Sequence, residues 1–129
     1  MKASAIGFNA AVLFLIAGMI WGLIMGISED YSAMSAHAHF SLLGWVSLFL
    51  FAIYYRYHPS LDRSKSANLQ VWIWIIGTLV LTHGVGLAKS GDATGNPIAA
   101  AGSFVVLLDA GLFGYLLFRG ERDLTKAQS

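Results

Sequence analysis

The 129-residue chain contains no cysteine, only two prolines and few charges. The absence of cysteine excludes disulfides, thiolate metal sites and covalent haem attachment through a C-x-x-C-H motif. Charged residues make up 12% of the chain, about half of the ~25% usual in soluble domains, while hydrophobic residues make up 57%. Mean hydropathy is strongly positive. This is the composition of a membrane protein, and its partner is the lipid bilayer. With a net charge of +1 and dispersed basic residues, no nucleic-acid patch is expected.

The charges fall between long apolar runs, which is the pattern of a helical bundle and not of a β-barrel, whose strands alternate over short segments. Four such runs, at about residues 6–27, 36–57, 69–88 and 98–118, predict an all-α, four-transmembrane-helix bundle forming a single domain over 1–129. The first run resembles a signal peptide. It is longer than the usual h-region of about 7–15 residues, lacks a clean cleavage site and is followed by three more spans, so a retained helix is expected. Within it, Gly18, Gly22 and Gly26 form a small-residue ridge suited to close helix packing or to the edge of a flat cofactor.

Between the spans, local signals mark helix ends. The cluster Tyr54, Tyr55, Arg56 and Tyr57 is expected where the second span leaves the hydrocarbon, and His58-Pro59 ends it, leaving His58 at the surface. Ser66 or Asn68 is expected to cap the third span, and Asn96 followed by Pro97 to open the fourth. Seven of the eight basic residues lie at the N-terminus, in the second loop and in the C-terminal tail. The positive-inside rule therefore predicts both termini in the cytoplasm of the inner membrane, with the loops around Glu29 and Asp92 outside.

Ionisable residues inside such spans are costly and read by default as functional. His37 and His39 open the second span and His83 lies near the far end of the third. The predicted topology brings all three to the outer leaflet, within roughly 2–10 Å of the interface at ~1.5 Å per residue. Two residues apart on a helix, His37 and His39 point about 200° apart. That spacing disfavours chelation of one metal by a single regular helix, which uses an i, i+4 pair. Met25 and Met34 lie near the same end and fill packing gaps or add soft ligands. Trp21 and Trp45 read as packing aromatics or cofactor contacts. Asp109, the one carboxylate within a span, falls ~18 Å below the outer surface, where a carboxylate is protonated or paired. An inter-helix hydrogen bond competes there with a proton-relay or packing role.

The stretch H-A-H-F-S-L-L-G-W-V-S-L, from His37 onward, resembles the His-x-His helix of the haem–copper oxidase catalytic subunit, especially its nitric oxide reductase-like branch. One helix of the four carries the resemblance. In that family the two histidines ligate different haems on opposite faces of the helix, and the subunit has twelve helices in three pseudo-symmetric arcs of four. The resemblance implies a homotrimer here, each chain supplying one arc of such an oxidase-like arrangement. It also implies a haem b at His37 and His39, with His83 as hydrogen-bonding partner or alternative ligand and Gly44 and Trp45 beside it. Gly44 would offer a flat surface to a porphyrin or to another helix. The paired His-His and the His linked to tyrosine that build the family's copper site are missing, so reduction of oxygen or nitric oxide by the binuclear mechanism is not expected. A low-spin bis-histidine haem for electron transfer or sensing, with an unknown redox partner, is the reading this leaves. Its alternatives are a copper or zinc site at His37, His39 and His83, and a cofactor-free assembly partner.

Overall fold

The computed structural model describes residues 1–129, which are all-helical with no strands. Four helices are long and apolar enough to cross a membrane: α1 (Ala3–Ser28), α2 (Met34–Tyr57), α4 (Lys65–Lys89) and α5 (Gly95–Gln128). A single turn, α3 (Pro59–Asp62), joins α2 to α4. The four expected spans are therefore present, and each helix begins before its apolar run. The bundle has a histidine end, with the α1–α2 and α4–α5 loops, and a terminal end, with both chain termini and α3.

Helix starts are set by polar contacts that the hydrophobic pattern does not carry. Ser64 caps α4 by accepting a hydrogen bond from the Ala67 N–H at 3.1 Å, so neither Ser66 nor Asn68 holds that position. At α5 the loop is ordered by Asp92, which accepts from the Thr94 N–H at 2.9 Å and the Thr94 hydroxyl at 2.7 Å. The Thr94 bonds hold its carboxyl below the usual carboxylate range. The helix is thus under way by Gly95, and Asn96 is already inside it. The N-terminus of α1 is covered by a residue far away in sequence. Asp62, almost fully buried, accepts from the Ser4 N–H at 2.6 Å and from the Ser4 hydroxyl at 2.8 Å. A carboxylate at that end satisfies a free backbone donor and complements the helix dipole.

α1 and α2 pack antiparallel, with Gly7 against Ala52, Gly44 against Phe14, Gly18 against Ser41 and Gly22 against His37. The closest pairing is between α4 and α5. A Cβ on Gly84 would overlap the backbone of Ala99, and one on Gly95 the backbone of Ala88. Gly102 sits in the same way against Leu81, while Gly77 meets the side chains of Val105 and Val106. Such backbone contact is how membrane helices gain dispersion energy without a hydrophobic driving force. The ridge at Gly18 and Gly22 works differently, taking in side chains of α2, and Gly26 meets nothing. The principal contacts run from α1 to α2, α2 to α4 and α4 to α5. α1 and α4 meet sparsely, leaving an apolar groove of about 500 Å³ floored by Phe14 and Phe40.

Over Leu42–Ser47, α2 widens into a π-helical turn. Backbone groups there miss their ordinary partners. Two side chains compensate: the Trp74 indole N–H donates to the Leu43 carbonyl at 2.9 Å, and the Ser47 hydroxyl to the Leu42 carbonyl at 3.0 Å.

The aromatic cluster at the end of α2 divides. Tyr57 is exposed, whereas Tyr55 is fully buried in the core, so it is no interface anchor. His58 is not at the surface either; it is 8% exposed. Its ring stacks on Tyr54 at 4.0 Å, Nδ1 donates to the Tyr54 carbonyl at 2.7 Å and Nε2 lies 3.1 Å from Glu121. Tyr54 also donates to the Leu117 carbonyl at 2.8 Å, so the π-stacked pair fastens α2 to α5. Pro59 turns the chain back at this point, folding His58 under α5 instead of out into solvent.

Candidate cofactor site

The three histidines at the histidine end have different surroundings. His37 faces α1, where the missing side chain of Gly22 makes room for its ring; Trp21 meets it edge-on at 5.7 Å. Its Nε2 donates to the Gly18 carbonyl at 2.9 Å, which leaves the lone pair on Nδ1. His39 is half-buried. Its Nδ1 donates to the Ser35 carbonyl one turn back at 2.8 Å, which leaves Nε2 as the free acceptor. An imidazole held in one tautomer by a backbone carbonyl is arranged as metal-bound histidines are, with the outer nitrogen available.

His83 is exposed on α4, at the rim of a groove of about 400 Å³ that it shares with Trp21, Phe40, Leu79, Thr82, Gly86 and Leu87. Within it the rings of Phe40 and Trp21 meet edge-on with centroids 5.7 Å apart. No three His, Asp or Glu side chains are arranged within one chain to hold a metal ion. A copper or zinc centre using His37, His39 and His83 would thus need ligands from more than one chain.

Gly44 is covered. The ring of Phe14 occupies the place its side chain would take, so helix packing and not an open flat surface is what this glycine provides. Trp45 packs at a tilt against Phe49 with ring centroids 4.8 Å apart and borders a cavity of about 200 Å³ beside His37. At about 30 Å³ per water, that volume holds a handful of waters and not a macrocycle. Of the methionines, Met25 is buried in packing and Met34 is exposed.

Asp109 is bonded between helices. It is 2% exposed and its Oδ2 accepts from the Gln70 side-chain amide at 2.7 Å; the Tyr55 hydroxyl in turn donates to the Gln70 carbonyl oxygen at 2.7 Å. Tyr55, Gln70 and Asp109 so form one buried polar chain across α2, α4 and α5. Sequence reasoning had no reading for Gln70. Its signal was there: a glutamine one residue inside an apolar run is an uncharged amide that needs partners once buried.

No family model, no curated protein and no solved structure matches the chain.

Proposed function

We propose that this chain is a membrane haem-binding protein, carrying a low-spin bis-histidine haem b for electron transfer or haem-based sensing. The observation that carries this reading is the tautomer of His39, whose Nδ1–H is fixed on Ser35 so that Nε2 is left free and would hold the iron. His37 would supply the second imidazole after giving up its bond to Gly18, or His83 would do so from the rim of the neighbouring groove. Bound there, a haem supplies a one-electron couple whose potential follows its ligands, burial and hydrogen bonds to the imidazoles. The chain's own residues orient the donors: Ser35 holds His39, and Trp21 and Gly22 set the plane of His37.

The cavity beside His37 is too small for a macrocycle, so a haem there would have to lie at a boundary with another chain. A homotrimer, with each chain standing as one oxidase-like arc, supplies such a site, and closed cyclic assemblies are the usual form for identical subunits. In this reading both termini lie in the cytoplasm, from the seven-to-one distribution of basic residues. Copper or zinc at the same histidines is the competing ligand chemistry.

Visible absorption spectra of the purified protein, oxidised and reduced, test the reading. A sharp Soret band with a reduced α band is expected. A colourless protein carrying stoichiometric copper or zinc replaces haem with the metal reading, and one carrying neither leaves assembly as its role.

A further inference from the structure

The buried side-chain polar atoms without a hydrogen-bond partner are three: Asp109 Oδ1, Thr78 Oγ1 and Thr82 Oγ1. They are not scattered. Thr78 and Thr82 are one turn apart on the buried face of α4. The pairing of Gly102 with Leu81, and of Gly77 with Val105 and Val106, sets Asp109 level with Trp74, one turn beyond Thr78. The register therefore sets the three residues at successive turns of the bundle interior, from Asp109 towards the histidine end. Thr82 reaches the wall of the groove that holds His83.

Two features set these residues apart from ordinary packing. A threonine buried inside a helix can bond the carbonyl one turn back, and here neither hydroxyl does. Steps of one turn are ~6 Å, about the span of one water hydrogen-bonded on both sides at ~2.8 Å. The carboxylate is also poorly supported as an anion. The polar side chains joined to it are Gln70 from α4 and, through Gln70, Tyr55 from α2, both uncharged. The only ion-pair contact in the chain is His58 with Glu121, at the terminal end. An unpaired charge inside hydrocarbon is expensive, so a proton on the free oxygen is favoured.

We propose that Asp109 is a proton-binding site in the membrane interior, exchanging with the histidine end of the bundle along Thr78 and Thr82. The step is a simple protonation. Asp109 Oδ1 takes one proton, the site passes from charge −1 to neutral, and Oδ2 keeps its bond from Gln70. Each threonine hydroxyl accepts a proton on oxygen and releases its own, with one water between successive levels. No electron moves. The path has one end, because the Gln70 amide presents only N–H to Asp109 and cannot pass a proton on without becoming an imidic acid; Tyr55 is thereby excluded as a route. The proposal is independent of whether a haem binds.

Infrared spectroscopy of the protein in lipid tests it. A protonated-carboxyl C=O band is expected in the wild type and absent in Asp109→Asn, which keeps an oxygen for Gln70 to bond. In D2O the band should shift with time. The double variant Thr78→Val/Thr82→Val should slow that shift at least about tenfold, the size expected for losing one hydrogen-bonded step, and Tyr55→Phe should leave it unchanged. Absence of the band from acid to neutral pH, or a wild-type rate in the threonine double variant, overturns the proposal, and so does slowing by Tyr55→Phe. An independent reading uses dicyclohexylcarbodiimide, an apolar reagent for protonated carboxyls. Mass spectrometry of the wild type should find Asp109 labelled, less so as pH rises, and an unlabelled Asp109 overturns the assignment even if the threonine variants fail to fold.

Discussion

Trp74 of α4 donates its indole N–H to the carbonyl of Leu43 in α2 across 2.9 Å, at the one place where α2 leaves α-helical geometry. The bond ties the widest turn of α2 to the helix beside it. Trp74→Phe keeps an aromatic ring near Phe51, whose centroid is 4.7 Å away, but removes the indole bond to the Leu43 carbonyl. The expected loss is about 1–3 kcal/mol, read as a lower midpoint of unfolding in detergent. An unchanged midpoint would show that the π turn satisfies its own carbonyls.

Gly44→Ala places a methyl group inside the Phe14 ring and should cost about 1–3 kcal/mol through overpacking. Phe14→Leu on the same background should recover part of that loss. Additive destabilisation by the two changes in a double-mutant cycle would separate Gly44 from Phe14.

For haem binding, His39→Ala should abolish the low-spin spectrum, since His39 offers a free Nε2. His37→Ala should convert it to a high-spin spectrum where His37 supplies the second ligand, and leave it low-spin where His83 does. His58→Ala should leave the spectrum intact while lowering thermal stability, because its ring fastens Tyr54 to Glu121. A wild-type spectrum in both His37→Ala and His39→Ala removes the haem assignment from α2.

The seam between α4 and α5 gives a contrast among glycines. Gly84→Leu or Gly95→Leu should prevent native packing, since backbone lies where the new side chain would start. Gly26→Leu should be neutral, having open space around it. Trypsin sensitivity of the membrane-embedded protein distinguishes them, and equal resistance of all three variants would contradict the seam.

The four spans were legible because hydropathy and length report directly on which segments cross a bilayer. Helix ends were not, since Ser64, Asp62 and Asp92 act through bonds to particular backbone groups that an apolar run does not encode. The glycine ridge at Gly18, Gly22 and Gly26 drew attention through its spacing of four, whereas the tighter seam repeats at seven, Gly77 to Gly84 and Gly95 to Gly102. The sequence points His58 to the surface, against its 8% exposure, because proline marks the end of a helix without saying which way the chain turns afterwards. At the histidine end, residue type picked out His37 and His39, and their tautomers became readable only once Gly18 and Ser35 were positioned. The partners of Asp109 were hidden because Gln70 and Tyr55 meet it only through packing of three helices.

Helix α5 runs for 34 residues, and its last ten, from Arg119 to Gln128, carry the chain ~15 Å beyond the apolar run. Glu121 is gripped at the root of this extension by Tyr54 and His58. The exposed tip is therefore a pointer whose angle is set at a single collar. A spin label or fluorophore near Thr125 would report tilting of α5 against α2 with mechanical advantage, turning a small rotation at the collar into a displacement large enough to measure by distance.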